Sequence, residues 1–498
     1  MKRSILAGML LCALLAGGLT ACTAPSPAQP GSDSGSETGL TTAPPADTDP
    51  ADTKITLAVT EADFENEDWN VLSYARQAEG TMWQYLDFGF LEDKEGNVLN
   101  EALYRRNAYI EDTYKIKICI TEKHAESVRT QLSQLLTAGD ATFDAAQPIV
   151  RDAFAAAAEG ELYNLLELDE LQTNAPWWDQ SMISQLSLGG KLYVLSGDIS
   201  LQDEEFLYAI FYNKKRITDL NLENPYTLVK EGKWTLDKLY ELSAAATSDS
   251  SGDGSINYKD SYGFGASFTT APVFFYAAGG SIARVDESGT LTPTLMSEKS
   301  ESVIDRLGTV FTDRQAMIDA TLIPGEWSTL NTMFTENRLL FRQGNIYNIT
   351  AYREMVADFG VLPLPKFDEE QKDYAHIVAT NFCPGIVIPS NITGERLERC
   401  CVLLTAFGAN SADLTEAYYE INLNKKMARD EESGQMLEII FSSKCYDIGK
   451  AFDWENVESS VIGSAVRFPG TFASSYEKVE NKILTGIEES TAFFCGDE

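Results

Sequence analysis

Between Asp249 and Asp260 the chain reads DSSGDGSINYKD, a run whose oxygen-bearing side chains fall at a spacing able to hold a hard cation. Asp249, Ser251, Asp253, Ser255, Asn257 and Asp260 take the first, third, fifth, seventh, ninth and twelfth places of a calcium loop. Gly254 takes the sixth, where the backbone must turn sharply, and Ile256 the apolar eighth. Asp260 stands where a bidentate glutamate is usual, and its shorter arm weakens the grip. The same letters also spell a Gly-Ser-Asp turn that needs no metal, so a structural Ca2+ and a bare turn both stand as readings. No other cofactor is required.

Other bond-making chemistry has little to draw on. The histidines number 2, His124 and His376, which leaves a zinc site or a His-based triad short of ligands. Paired carboxylates abound among 75 acidic residues, so a secreted glycoside hydrolase is kept as an alternative, but abundance makes such pairs uninformative. No Gly-x-Ser-x-Gly and no phosphate loop points to another enzyme. Aromatic side chains are plentiful instead, with 7 Trp, 21 Tyr and 24 Phe. Aromatic planes bury C–H-rich ligand faces while Asp, Glu, Asn and Arg bond hydroxyls, a chemistry of binding rather than of bond-breaking. Trp83 and Trp327 lie in polar, non-periodic segments, where an aromatic needs a reason, and are placed in a cleft. Trp177, beside Trp178 after Pro176, divides between a structural and a cleft role. Trp234, just outside a helix cap, reads as a hydrophobic staple.

The elements that position these residues alternate strand and helix. Residues 206–212 form a short aromatic-rich run stopped by Asn213, Lys214 and Lys215, which favours a buried strand. Thr235 caps an amphipathic helix carrying Leu236, Leu239, Leu242 and Ala246, with Asp237 in its first turn. The polar loop follows, then a strand at 262–266, which makes an α/β layer pattern. Strands are also expected at 54–59 and 115–120. Between them Asn100 is expected to cap a helix with Leu103, Ile110 and Tyr114 inward and Arg105, Arg106 and Asp112 outward. Gly189 and Gly190 make a turn, Val303, Ile304, Leu307, Val310 and Phe311 mark a helix, and a strand at 384–390 precedes a helix at 395–408.

The first 22 residues carry Lys2 and Arg3, an apolar run too short and wrongly flanked for a membrane span, and Leu19-Thr20-Ala21-Cys22. That ending resembles the bacterial lipobox and predicts a signal peptide over 1–21 and lipidation of Cys22, hence a membrane anchor on the outer face. An ordinary secretory signal with a chance Cys is the alternative. Residues 22–53 are Ser, Thr, Pro, Ala, Gly and Asp with almost nothing to bury, and are expected to be a disordered tether. The remainder is too long for one core and suits two lobes. A net charge of −36 repels nucleic acid and anionic lipid and disfavours a polyanionic substrate. Cys119, Cys383, Cys400, Cys401, Cys445 and Cys495 show no C-x-x-C; Cys400 and Cys401, on a helical pattern with Leu397, Leu404 and Phe407, read as small buried apolar side chains, with disulfides permitted by the compartment.

Several blocks resemble, in order, extracellular solute-binding proteins of carbohydrate ABC importers, the family 1, maltose-binding-protein-like group and its clostridial members. They are GNVLNEALYRRNAYIEDTYKIKI, FYNK at 211–214, the WTLDKL helix start, FTENRLLFRQG and DFGVLPLPKFDEEQKDY. The resemblance implies an α/β chain with a two-lobe, type II periplasmic-binding-protein-like fold, each lobe a mixed sheet flanked by helices, joined by hinge crossovers. It assigns 54–205 plus 375–425 to the first lobe and 206–374 plus 426–498 to the second. It implies a non-enzymatic role: capture of a neutral sugar or oligosaccharide for ABC permease subunits by a monomer held on the outer face of the membrane. A sensory lipoprotein of the same fold is a further alternative. The family's acidic cleft residue before the FYNK strand falls here on Phe206, so either Asp203, Glu204 or Glu205 substitutes for it or that ligand contact is absent. The resemblance also points to Tyr347, with Tyr352 and Arg353 behind it, and to Phe268.

Overall fold

The computed structural model describes residues 62–78, 81–90, 97–286, 289–352, 355–419 and 431–496, all within one unit spanning 57–498. The signal, Cys22, the tether, the strand expected at 54–59 and Arg353 lie outside the described residues.

The first sheet is built on β1 (Glu67–Tyr74), which pairs in parallel with β2 (Ile116–Lys123) and β3 (Ala145–Ala146) in the order β2-β1-β3. Sequence patterning does not predict β1: its second half is buried on both faces, so its side chains do not alternate. The segment expected as a strand at 384–390 contributes antiparallel bridges, Ala146 to Val387 and Leu195 to Ile386, so this sheet is mixed. The helix Val98–Tyr114 crosses it, capped by Asn97, whose side chain accepts from the Asn100 amide at 3.1 Å; the expected cap, Asn100, lies inside the first turn. Arg106, expected to face water, is buried: its guanidinium donates to the Asp87 and Ile199 carbonyls and to Ser411 Oγ, which satisfies a charge that burial would otherwise penalise.

The second sheet takes β4 (Tyr208–Asn213) and β5 (Tyr262–Ala266). A hairpin of β6 (Ala283–Val285) and β7 (Leu291–Pro293) stands apart. Then β8 (Met317–Asp319), β9 (Leu339–Asn345) and β10 (Phe359–Leu362) complete a mixed sheet in the order β10-β4-β9-β5-β8. The helix Leu236–Ala246 begins at Thr235, whose side chain accepts from the Lys238 amide at 3.3 Å, as the capping pattern predicts. It packs so close to β5 that a Cβ at Gly263 would lie 1.9 Å from the Ser243 carbonyl oxygen, so only glycine fits. On this sheet Phe264, Phe274 and Phe311 meet edge to face, at 5.9 Å for Phe264–Phe274 and 5.4 Å for Phe274–Phe311. Trp234 is buried against Phe341, its indole donating to the Pro363 carbonyl at 2.8 Å.

Finally β11 (His376–Ile377) and β12 (Lys444–Cys445) pair in parallel, away from both sheets. The C-terminal helix Glu480–Cys495 brings Phe494 within 6.1 Å of Phe154 and 5.3 Å of Tyr193. Among the described residues no helix is long and apolar enough to cross a membrane.

Candidate functional site

In open α/β sheets the loops leaving the carboxyl ends of parallel strands are where ligands are held. Here such loops from both sheets meet in one group of aromatic rings. Trp83 lies in the loop after β1, His124 directly follows β2, and Tyr347 follows β9; Phe206 precedes β4. The Trp83 and Phe206 centroids are 6.1 Å apart, Phe206 and Tyr347 5.9 Å, and Trp83 and His124 5.9 Å. Phe382 stacks on Phe206 at 6.5 Å, and its carbonyl accepts the Trp83 indole N–H at 3.0 Å. Trp83 is held at φ +56, a left-handed conformation that costs a bulky residue about 1–3 kcal/mol and persists only where the surroundings over-determine it.

Polar groups flank these rings. Lys450 pairs with Glu458 at 2.6 Å, and the other Glu458 oxygen is buried without a hydrogen-bond partner among the described residues. Burial, then the neighbouring Tyr347 and Glu458, hold the Tyr208 hydroxyl well above its ordinary range; burial pushes Tyr347 up to about 12. Both phenols are therefore neutral hydrogen-bonding groups. Phe268, at the end of β5, carries the Arg314 and Arg467 guanidinium groups at 5.9 and 5.7 Å from its ring. Trp327 carries Arg342 at 4.7 Å, and Arg342 Nε donates to Asn331 at 3.2 Å.

Asp203 and Glu204, in the short helix Gln202–Glu205 just before Phe206, enter a buried charge network. Lys444 pairs with Asp203 and, at 3.0 Å, with Asp179, which also accepts from the Tyr446 hydroxyl at 2.7 Å. Tyr419 donates to Glu204 at 3.1 Å. Desolvation raises Asp203 and Glu204 above the carboxylate range, against the pull of Lys444, and raises Asp198 to about 6. Of the residues expected at a cleft, the structure therefore joins Trp83 and Tyr347 through Phe206. It places Asp203 and Glu204 on the adjoining lysine network. Trp177 packs elsewhere, its ring so close to Gly408 that a Cβ there would lie 2.4 Å away. Phe206, Phe382 and His124 complete the group without having been singled out as cleft residues. The departure at Phe206 from the acidic pattern was the available signal.

The loop before β5 lies at the opposite end of that strand from Phe268. Asp249, Asp253 and Asp260 bring carboxylate oxygens within 4.8 Å of one another. Gly252 and Gly254 donate to Asp249 at 2.7 and 2.8 Å, and Gly254 at φ +87 makes the turn. Asp260 accepts from the Ser251 and Asn257 amides at 2.8 and 2.9 Å. Hydrogen bonds of this kind hold the Asp253 and Asp260 carboxyls below their usual range, so both are anionic at neutral pH.

No protein-family model matches the chain, and no curated protein sequence matches it. Solved structures do. A cyclo/maltodextrin-binding protein complexed with maltotetraose aligns at TM-score 0.56 and 16% identity, over 85% of this chain and 96% of that one. An ABC substrate-binding protein from Listeria monocytogenes in complex with cycloalternan aligns at 0.54 and 15%, over 85% and 98%. UgpB from Mycobacterium tuberculosis in complex with glycerophosphocholine aligns at 0.53 and 14%, over 78% and 95%. At such identities the likeness is one of fold: the chain has the α/β architecture of periplasmic solute-binding proteins, as its motif blocks imply.

Proposed function

We propose that this chain is a substrate-binding protein that captures a neutral sugar or oligosaccharide and delivers it, chemically unaltered, to the permease subunits of an ABC importer. The observation that carries this reading is the meeting of Trp83, Phe206, Phe382 and Tyr347 where strand ends of both sheets converge. Tyr347 and Phe382, half-buried at the edge of that group over the buried Trp83 and Phe206, offer ring faces of the kind that bury sugar C–H surface, while Tyr208, Glu458 and Lys450 beside them supply donors and acceptors for hydroxyls. The fold likeness to proteins holding maltotetraose and cycloalternan supports the same substrate class. Lipidation of Cys22, with the Ser/Thr/Pro-rich tether, would hold a monomer at the outer face of the membrane. The loop 249–260 is proposed to take a structural Ca2+, its three carboxylates being gathered around a glycine turn.

A thermal-shift screen of neutral mono- and oligosaccharides tests the substrate class. A ligand present at one hundred times its Kd adds about 2.7 kcal/mol of stability. A flat response across neutral glycans, or release of reducing ends from an oligosaccharide by the pure protein, would overturn the reading.

A further inference from the structure

A cavity of about 390 Å³ lies beside the paired strands β11 and β12, walled by the helix Gln180–Leu186 on one side and by residues 279–285 on the other. It shares no residue with the aromatic group at the strand ends. Its most telling occupant is Arg284, on β6. Arg284 Nε donates to Ser281 Oγ at 3.0 Å, which fixes the plane of the guanidinium, and among the described residues the terminal nitrogens have neither a carboxylate nor a carbonyl partner. Arg284 is exposed at the mouth of the cavity, so its terminal nitrogens are held by water that an entering anion can displace. Gln185 lines the same wall with its Oε1 already accepting the Tyr446 amide at 2.7 Å, which leaves its NH2 group as a second donor. The acid on the wall, Asp447, is consumed: its two oxygens accept the Ile282 and Lys450 amides at 2.9 and 3.0 Å. The Cys445 thiol, pushed up to about 12 by burial, is neutral.

We propose that this cavity is a second ligand site, selective for a small organic monoanion of the sugar-acid type. The carboxylate sits on the Arg284 fork and the Gln185 amide, and the carbon skeleton lies along Val285 and Ile377. The volume suits one sugar-sized molecule. The chain's overall negative charge is screened within about a Debye length and so bears less on a monoanion than on a polyanion.

Isothermal titration of the full chain with D-glucuronate, with D-glucose as the neutral counterpart, tests this. Glucuronate is expected to bind at one site at which glucose does not compete. Arg284→Met is expected to weaken it by roughly tenfold or more, the loss of a charge-assisted hydrogen bond. Arg284→Lys should fall between, and Gln185→Leu, at an exposed position, should weaken it without touching the arginine. Tyr347→Ala, at the aromatic group, should leave glucuronate binding unchanged. No glucuronate heat at millimolar concentration, full binding by Arg284→Met, or loss in Tyr347→Ala would each overturn the proposal. A flat response to neutral glycans would not, since the two sites share no residue.

Discussion

Gln84 donates its side-chain amide to the Glu205 carboxylate at 2.6 Å, across 121 residues of chain. Gln84 follows Trp83 and Glu205 precedes Phe206, so one hydrogen bond aligns the two loops whose rings meet at 6.1 Å. The Tyr418 hydroxyl donates to the other Glu205 oxygen at 2.7 Å, so each oxygen of this buried carboxylate accepts a side-chain hydrogen bond. Gln84→Leu leaves that carboxylate one donor short in a site that excludes water. Its expected cost is about 1–3 kcal/mol, seen as a lower urea midpoint at unchanged m-value. Wild-type stability in this variant would mean the bond positions nothing.

Trp83→Ala removes a ring that touches Phe206 and His124 and abolishes the indole bond to Phe382. Truncating a buried tryptophan costs about 3–5 kcal/mol, although here the relief of a left-handed bulky residue offsets part of it. Tyr347→Ala sits at a half-buried position and should cost less stability while flattening the sugar response. Thermal melts with and without the best neutral glycan separate the two effects. Retained sugar-induced stabilisation in both variants would move the binding site elsewhere.

How far these features are legible in sequence depends on the range of the interactions that make them. The helix at 236–246 and the strand at 262–266 are set by a cap, by periodicity and by flanking turns, all within a few residues, and the structure has them where local patterning predicts. The burial of Arg106 depends on carbonyls at Asp87 and Ile199, which no local window contains. β1 eludes the pattern because both its faces are covered, so alternation vanishes. At the site, Trp83 could be singled out as an aromatic without a local reason to be there, and Tyr347 through the family resemblance. Phe206 opens an apolar strand and is already explained by packing, so its one mark in the sequence is the departure from the family's acidic pattern, and its partners emerge only when the fold brings other rings to it.

The network around Lys444 makes stability depend on pH. Asp179, Asp198, Asp203 and Glu204 crowd that ammonium, and the raised carboxyl of Asp198 binds its proton more tightly folded than unfolded. A carboxyl whose folded pKa lies above its unfolded value favours folding below the unfolded pKa, and that contribution is lost as pH rises through the folded pKa. For Asp198 the window runs from 3.8 to about 6. Urea unfolding at pH 5 should therefore show more stability from this group than at pH 7, by roughly 1–3 kcal/mol at most. Asp198→Asn should flatten the slope and raise stability at neutral pH. An unchanged pH profile in Asp198→Asn would show that the network holds its protons no differently from the unfolded chain.

In the loop before β5, three carboxylates within 4.8 Å repel one another unless a cation joins them. With Asp260 supplying a short arm at the twelfth position, the expected affinity falls toward the weak end for such loops, a Kd on the order of 10⁻⁴–10⁻³ M. Titrating Ca2+ into chelator-treated protein should release heat and raise Tm, and Asp260→Asn should lose both. Because Asp260 also accepts the Ser251 and Asn257 amides, the asparagine variant keeps one acceptor oxygen and should fold. The loop adjoins the helix Leu236–Ala246 and β5, so the stabilisation is expected in the global transition without change at the aromatic group. No heat at millimolar Ca2+ would leave the run DSSGDGSINYKD a hydrogen-bonded turn.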